Sequence, residues 1–283
     1  MRAHSGLPSG VNMTSLISSG SAASGQYPFE STQANLPPEL DDEVGNQLNG
    51  RVVVVSPHLD DAILSLGSTI LGAVNAGAKV EVLTVFADVA SSDAPASDWD
   101  RQCGFLTEGQ AANGRREEDR RACSILGAEP RWLNFGSECY QRRGSDDDIW
   151  AAVTSAIRGA DTVLIPGFPL VHSDHAYLTK LLLSKGLNGH RVALYLEQPY
   201  AFALKKAPGS SAVAPALELV ITRSLAWTHM RTPRKDRRAK ARAVRSYRSQ
   251  LFHLGLRNLG LQRMLWREAA HGGEAIAWLG GGW

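Results

Sequence analysis

A run of four β-branched residues, Val52-Val53-Val54-Val55, follows a polar N-terminal stretch and has the pattern of a strand buried on both faces of a parallel sheet. After a short polar turn, the segment from Ala62 to Ala76 is rich in apolar and small residues and meets Gly77, which predicts a helix with a glycine stop. Lys79 to Phe86 predicts a second strand, so the first element group is a βαβ unit. The alternation continues. Residues 88–113 read as a long polar loop, and Arg115 to Leu126 as a charged helix ending at Gly127. Arg131 to Phe135 predicts a short strand, and Asp146 to Ile157 a helix with three aspartates at its dipole-favoured start. Thr162 to Ile165 is a buried strand stopped by Pro166-Gly167, Leu178 to Lys185 a helix, and Arg191 to Leu196 the next strand. A further strand is expected over Leu217 to Ile221 and a long basic helix over Arg234 to Leu251. Repeated βα alternation predicts an α/β fold: a Rossmann-like, doubly wound, mostly parallel sheet with helices on both faces.

Residues 1–48 are rich in Ser, Gly, Ala and Pro and read as a flexible extension, leaving 49–283 as a single domain. The extension's apolar runs are too short for a signal peptide or a membrane span. A net charge of +2 removes any whole-molecule electrostatic argument for nucleic acid or an acidic membrane. Cys103, Cys123 and Cys139 are odd in number, widely spaced and without a C-x-x-C, which reads as reduced thiols in a cytoplasmic protein.

Ligands of open α/β sheets bind beyond the carboxyl ends of the strands, so the residues after each strand carry the functional information. The first strand is followed by Ser56-Pro57-His58-Leu59-Asp60-Asp61, and the strand at 162–165 by a turn that ends in His172-Ser173-Asp174-His175. Each feature alone has a bland reading: an Asp before a helix is an ordinary N-cap, and a lone His is more often structural than a ligand. Three of the chain's eight histidines nevertheless fall on these two turns beside aspartates. Two imidazoles and one carboxylate are a common catalytic zinc set with a fourth position left for water. A second carboxylate nearby then serves as general base, and the H-x-D-D string offers two ligands and a base within four residues. His172 is placed to stabilise a developing oxyanion as an imidazolium.

The paired motifs resemble those of the LmbE-like, or PIG-L, deacetylase family. The resemblance extends to Arg116-x-x-Asp119 with Ala122 and Leu126-Gly127, and to Lys240-x-x-Ala243 with Tyr247-x-Ser249-Gln250, covering roughly Arg51 to Gln250. It implies a zinc-dependent enzyme, with ferrous iron the alternative metal, that removes acetyl from an N-acetylglucosamine-type sugar. By the same resemblance His58, Asp61 and His175 hold the metal, Asp60 is the base, and His172 is oriented by Asp174. Arg116 resembles a family arginine that contacts sugar hydroxyls, with Arg115 beside it. Leu59, Ala62 and Ser173 depart from the family's commonest motifs without removing a ligand or the base. That suggests a divergent branch acting on a bacterial secondary-metabolite glycoside. Trp99, in the polar loop, is the aromatic residue expected to meet such a substrate.

Other readings fare worse. Another amide-bearing sugar or a thiol-cofactor precursor would use the same site. A nucleotide-binding Rossmann protein is disfavoured, because the first strand–helix turn lacks G-x-G-x-x-G and two acids would repel a pyrophosphate. A nucleic-acid-binding protein built on the basic segment 231–248 lacks an accompanying aromatic platform, so a solvated helix face is expected there. The partner expected is a small sugar glycoconjugate; the oligomeric state is not legible.

Overall fold

Seven strands, β1 (Arg51–Ser56), β2 (Lys79–Thr84), β3 (Glu129–Trp132), β4 (Thr162–Phe168), β5 (Arg191–Leu196), β6 (Trp227–Met230) and β7 (Glu274–Trp278), form one sheet in the order β3-β2-β1-β4-β5-β7-β6. The computed structural model describes residues 48–140, 144–203, 225–230 and 232–280. The expected extension therefore lies, up to residue 47, outside the described residues, as does the strand expected at Leu217 to Ile221. Strands β1 to β5 pair in parallel, while β7 runs antiparallel to both β5 and β6. The sheet is thus mostly parallel, as the alternation predicted, and closes with an antiparallel edge that the sequence reading did not anticipate.

The helices are α1 (Asp61–Asn75), α2 (Asp98–Gln102), α3 (Glu108–Leu126), α4 (Asp146–Ile157), α5 (Ser173–Lys185), α6 (Tyr200–Ala203), α7 (Arg234–Val244), α8 (Arg248–Leu251) and α9 (Leu259–Ala270). The β1-α1-β2 and β4-α5-β5 crossovers travel in opposite directions along the sheet. Right-handed connections therefore place α1 and α5 on opposite faces. Val52 to Val55 are each at most 1 % exposed, as a strand covered on both faces requires. Burying each such side chain contributes about 1.5–3 kcal/mol.

Helix α5 starts five residues before the expected Leu178, and β3 ends at Trp132 where Arg131 to Phe135 was expected; three further boundaries differ for identifiable reasons. The stretch 88–113 is not one loop. Ser97 caps α2 through Asp100 N, and Thr107 accepts from Gln110 N to start α3 seven residues before Arg115. Strand β4 does not stop at Pro166-Gly167 but continues through an irregularity to Phe168. A Cβ at Gly167 would lie 2.5 Å from Leu194 Cβ, so only glycine lets the two strands stay this close. The long basic helix is broken between Val244 and Arg248 into α7 and α8.

The basic segment divides by burial. Arg234, Lys235, Arg238, Arg242, Arg245 and Arg248 are exposed, as a solvated face requires. Lys240 is fully buried and pairs with Glu268 (2.6 Å) and Glu274 (2.7 Å). Beyond the break, Tyr247 Oη donates to Asp119 Oδ1 (2.7 Å) and Ser249 Oγ to Glu118 Oε2 (2.7 Å), tying the C-terminal helices to α3. No described helix is long and apolar enough to cross a membrane.

Candidate active site

The strand order reverses between β1 and β4, which are paired neighbours, and the crevice of a doubly wound sheet opens at that point. Residues 58–61 leave β1 and residues 172–175 leave β4, so the topology brings together two motifs that are 117 positions apart. Three donor atoms meet there. His58 Nδ1 lies 3.2 Å from Asp61 Oδ2, Asp61 Oδ2 lies 3.1 Å from His175 Nε2, and His175 Nε2 lies 3.2 Å from His58 Nδ1. Ligands at zinc's usual 2.0–2.1 Å from a tetrahedral centre would be about 3.3–3.4 Å apart, so this near-equilateral triangle fits one small metal ion.

The charges agree with the distances. Burial alone would push both imidazoles down, but Asp174 and Asp61 raise His58 to about 9, and Asp61 with Glu197 holds His175 well above its ordinary value. Burial would raise the Asp61 carboxyl, yet the two imidazoles hold it well below its usual range. The donor set therefore gathers two positive charges around one carboxylate, which a divalent cation would replace.

Each imidazole is backed by a carboxylate on its far side. His58 Nε2 meets Asp174 Oδ2 at 3.0 Å, and His175 Nδ1 meets Glu197 Oε1 at 2.5 Å. Glu197 follows β5, the strand next to β4, and its other oxygen accepts from Leu170 N at 2.7 Å. Such carboxylate–imidazole pairs fix the tautomer and ring orientation of metal-binding histidines. Glu197 escaped the sequence reading because it stands alone after its strand, with no His or Asp beside it.

His58, His172 and His175 form a group whose donor atoms lie within 4.8 Å, so His172 is the competing third ligand. Its contacts argue otherwise. His172 is the N-cap of α5, and its Nδ1 accepts from Asp174 N at 3.2 Å, which leaves the proton on Nε2. Burial, followed by His58 and His175, pushes this imidazole down to about 3. In the metal-free chain these contacts favour the neutral ring with its proton on Nε2, where an imidazolium was expected. It is Asp174's backbone N–H that orients it, while the Asp174 carboxylate serves His58 and Glu138 N.

Asp60 sits at the N-cap position of α1, yet its side chain makes no capping hydrogen bond. The bland reading of this residue therefore fails. It is 8 % exposed, and burial, with the charge of Asp61 second, pushes its carboxyl up to about 7. A carboxylate poised near neutrality beside the donor triangle has the protonation behaviour of a general base.

The two candidate substrate contacts are placed differently. Arg116 Nη2 donates to the carbonyl oxygens of Ala87 and Asp88 and to Asn134 Oδ1, which spends it on the loop after β2. Arg115 is the arginine whose charge reaches Asp60. It is ion-paired with Asp100, and the Gln250 amide, with its oxygen turned toward the guanidinium, accepts from Arg115 Nε at 2.7 Å. Trp99 lies half-buried in α2, its ring tilted by 31° against that of His253 with centroids 4.0 Å apart.

Residues 53–184 match the family described as PIG-L, GlcNAc-PI de-N-acetylase. Over those residues the chain is similar to PIG-L proteins. The 2'-N-acetylparomamine deacetylase of Streptomyces fradiae is 34 % identical over 173 residues, 54 % of this chain and 58 % of that relative, so the aligned part spans less than two thirds of its length. The crystal structure of the A40926 pseudoaglycone deacetylase Dbv21 superposes with a TM-score of 0.65 at 27 % identity, covering 81 % of this chain and 96 % of that one. A deacetylase of the teicoplanin biosynthesis pathway superposes with a TM-score of 0.62 at 26 % identity over the same shares. The PIG-L match begins inside β1 and ends at the close of α5, so it encloses both motifs of the donor triangle.

Proposed function

We propose that this chain is a metal-dependent hydrolase that removes the acetyl group from an N-acetylglucosamine-type sugar carried on a small secondary-metabolite glycoconjugate. The observation that carries the reading is the donor triangle of His58, Asp61 and His175 with the uncapped, buried Asp60 beside it. Its relatives support the substrate class: one deacetylates an N-acetylated paromamine and the other a pseudoaglycone of an antimicrobial. Zinc is the proposed ion, with ferrous iron the alternative, and it would supply Lewis acidity toward the acetamide carbonyl and toward water.

The remaining roles fall to side chains. Asp60 accepts the proton of the attacking water and returns it to the departing sugar nitrogen, so that water and amide become acetate and amine. The His172 Nε2–H donates to the oxygen that gains charge as the carbonyl carbon becomes tetrahedral. Arg115, held by Asp100 and Gln250 with its charge reaching Asp60, is the proposed sugar contact in place of Arg116, and Trp99 beside His253 the proposed aromatic one.

Acetate release from a panel of N-acetylglucosaminides, including N-acetylated aminoglycoside and glycopeptide precursors, tests the reading. Zinc- or iron-loaded protein should release one acetate per sugar from at least one large glycoconjugate, and stripping the metal should abolish it. A loaded protein that releases acetate from none would sink the proposal.

Glu197→Gln should weaken metal binding by roughly ten- to a hundred-fold, the usual cost of losing a carboxylate behind a metal-binding histidine. Competition with a chromophoric chelator measures this directly. An unchanged affinity would reduce Glu197 to a packing role.

A further inference from the structure

Helix α1, which begins with Asp60 and Asp61, is not regular. Leu66 adopts φ −128° and ψ 16°, a kink one turn after the site residues. Just beyond it, the backbone N–H groups of Ser68 and Thr69 donate to Glu274 Oε1 (2.9 Å) and Oε2 (2.7 Å), more than 200 positions away. In a continuous helix these N–H groups would serve the carbonyls of Leu64 and Ser65. Glu274 Oε1 also accepts from Lys240 Nζ, whose second partner is Glu268, and all three side chains are at most 1 % exposed. The stem of Lys240 lies against the kink itself: a Cβ on Gly67 would meet Lys240 Cγ at 2.8 Å.

Burying one ammonium and two carboxylates is a costly way to add stability, since well-packed apolar residues would do as well. Apolar residues could not, however, accept two N–H groups at a broken helical turn. We propose that Glu274, held in place by Lys240, is a positioning residue that sets the direction of the first turn of α1 and thereby the placement of Asp60 and Asp61. The carboxylate acts as a substitute pair of helix acceptors, delivered from β7, and Lys240 of α7 locks both its rotamer and the glycine face of the kink.

This inference rests on the proposed roles of Asp60 and Asp61, but its main readout, Zn2+ affinity by chelator competition, needs no substrate. Glu274→Gln keeps the shape and turns one acceptor oxygen into an amide NH2 donor facing a backbone N–H. It should weaken Zn2+ binding about ten-fold or more and lower kcat by about ten- to a hundred-fold with KM within about two-fold. Glu268→Gln is the decisive comparison. It touches the same Lys240, while the N–H groups of Ser68 and Thr69 bond to Glu274, so it should lower the melting temperature while leaving Zn2+ affinity and kcat close to wild type. If Glu274→Gln does not fold, Gly67→Ala, which crowds the kink without removing a charge, should give the same two losses. Equal effects of Glu274→Gln and Glu268→Gln on metal affinity, or no effect of Glu274→Gln or Gly67→Ala in folded protein, overturn the positioning role. Absence of acetate release by wild-type protein would instead count against the proposed function and leave the affinity comparison standing.

Discussion

Asp60→Asn is expected to lower kcat by roughly a hundred- to ten-thousand-fold, the usual contribution of a general base, while the protein keeps its fold and its metal. An amide of the same shape fills the same space but accepts no proton from water. Stability should hardly change, because the carboxylate makes no helix-capping bond that could be lost. The pH profile supplies an independent check. Burial and the charge of Asp61 place the Asp60 carboxyl at about 7 in the metal-free chain. A dication bound at Asp61 cancels that repulsion and attracts the charged form of Asp60, so the acidic limb of kcat/KM should have its midpoint below 7. The rate should rise with pH through that limb, because only the deprotonated carboxylate can act. A midpoint above 7, or an Asp60→Asn protein with near-normal turnover, would remove Asp60 from the role of base.

Asp61→Asn should have the opposite signature in metal content. Asp61 Oδ2 is the vertex shared by His58 Nδ1 and His175 Nε2, and it also accepts from His58 N at 2.9 Å. An amide there offers a weaker neutral oxygen and removes the negative charge that helps hold both imidazoles against the cation. Purified Asp61→Asn should carry well under one equivalent of metal by elemental analysis, and its acetate release should fall to that of chelator-treated wild type. Two neighbouring carboxylates would then separate cleanly, one losing turnover with metal retained and the other losing the metal itself. Full metal occupancy in Asp61→Asn would promote His172 to third ligand, since its ring is the remaining donor in the cluster.

The parts of this architecture legible in the sequence are those with short-range signals. The valine run of β1, the glycine that ends α3 and the three aspartates that start α4 are local signals, and each marks its strand or helix end where the structure has it. The two His-Asp turns were legible because chemistry and strand ends coincide in a few residues. What failed to show was long-range. Glu197 is isolated in sequence and gains meaning only when β5 lies beside β4. Lys240 reads as one cation among many in a basic helix, and only the fold puts it against two glutamates from α9 and β7. The choice between Arg115 and Arg116 depends on a helical rotation of about 100°, which spacing alone does not fix. The antiparallel edge was missed because β6 and β7 are short and follow stretches without the βα rhythm.

The separation of the two histidine turns along the chain has a consequence for how the protein endures heat. An ion shared by His58 and His175, as proposed, would be a reversible cross-link across 117 positions of chain. An unfolded chain rarely brings such distant groups together, because closing a long loop costs entropy. Such an ion would therefore bind the folded form almost alone. At a free concentration a hundred times its dissociation constant it would add about 2.7 kcal/mol to stability. The endurance of the fold would then depend on the solution's metal supply as well as on the sequence.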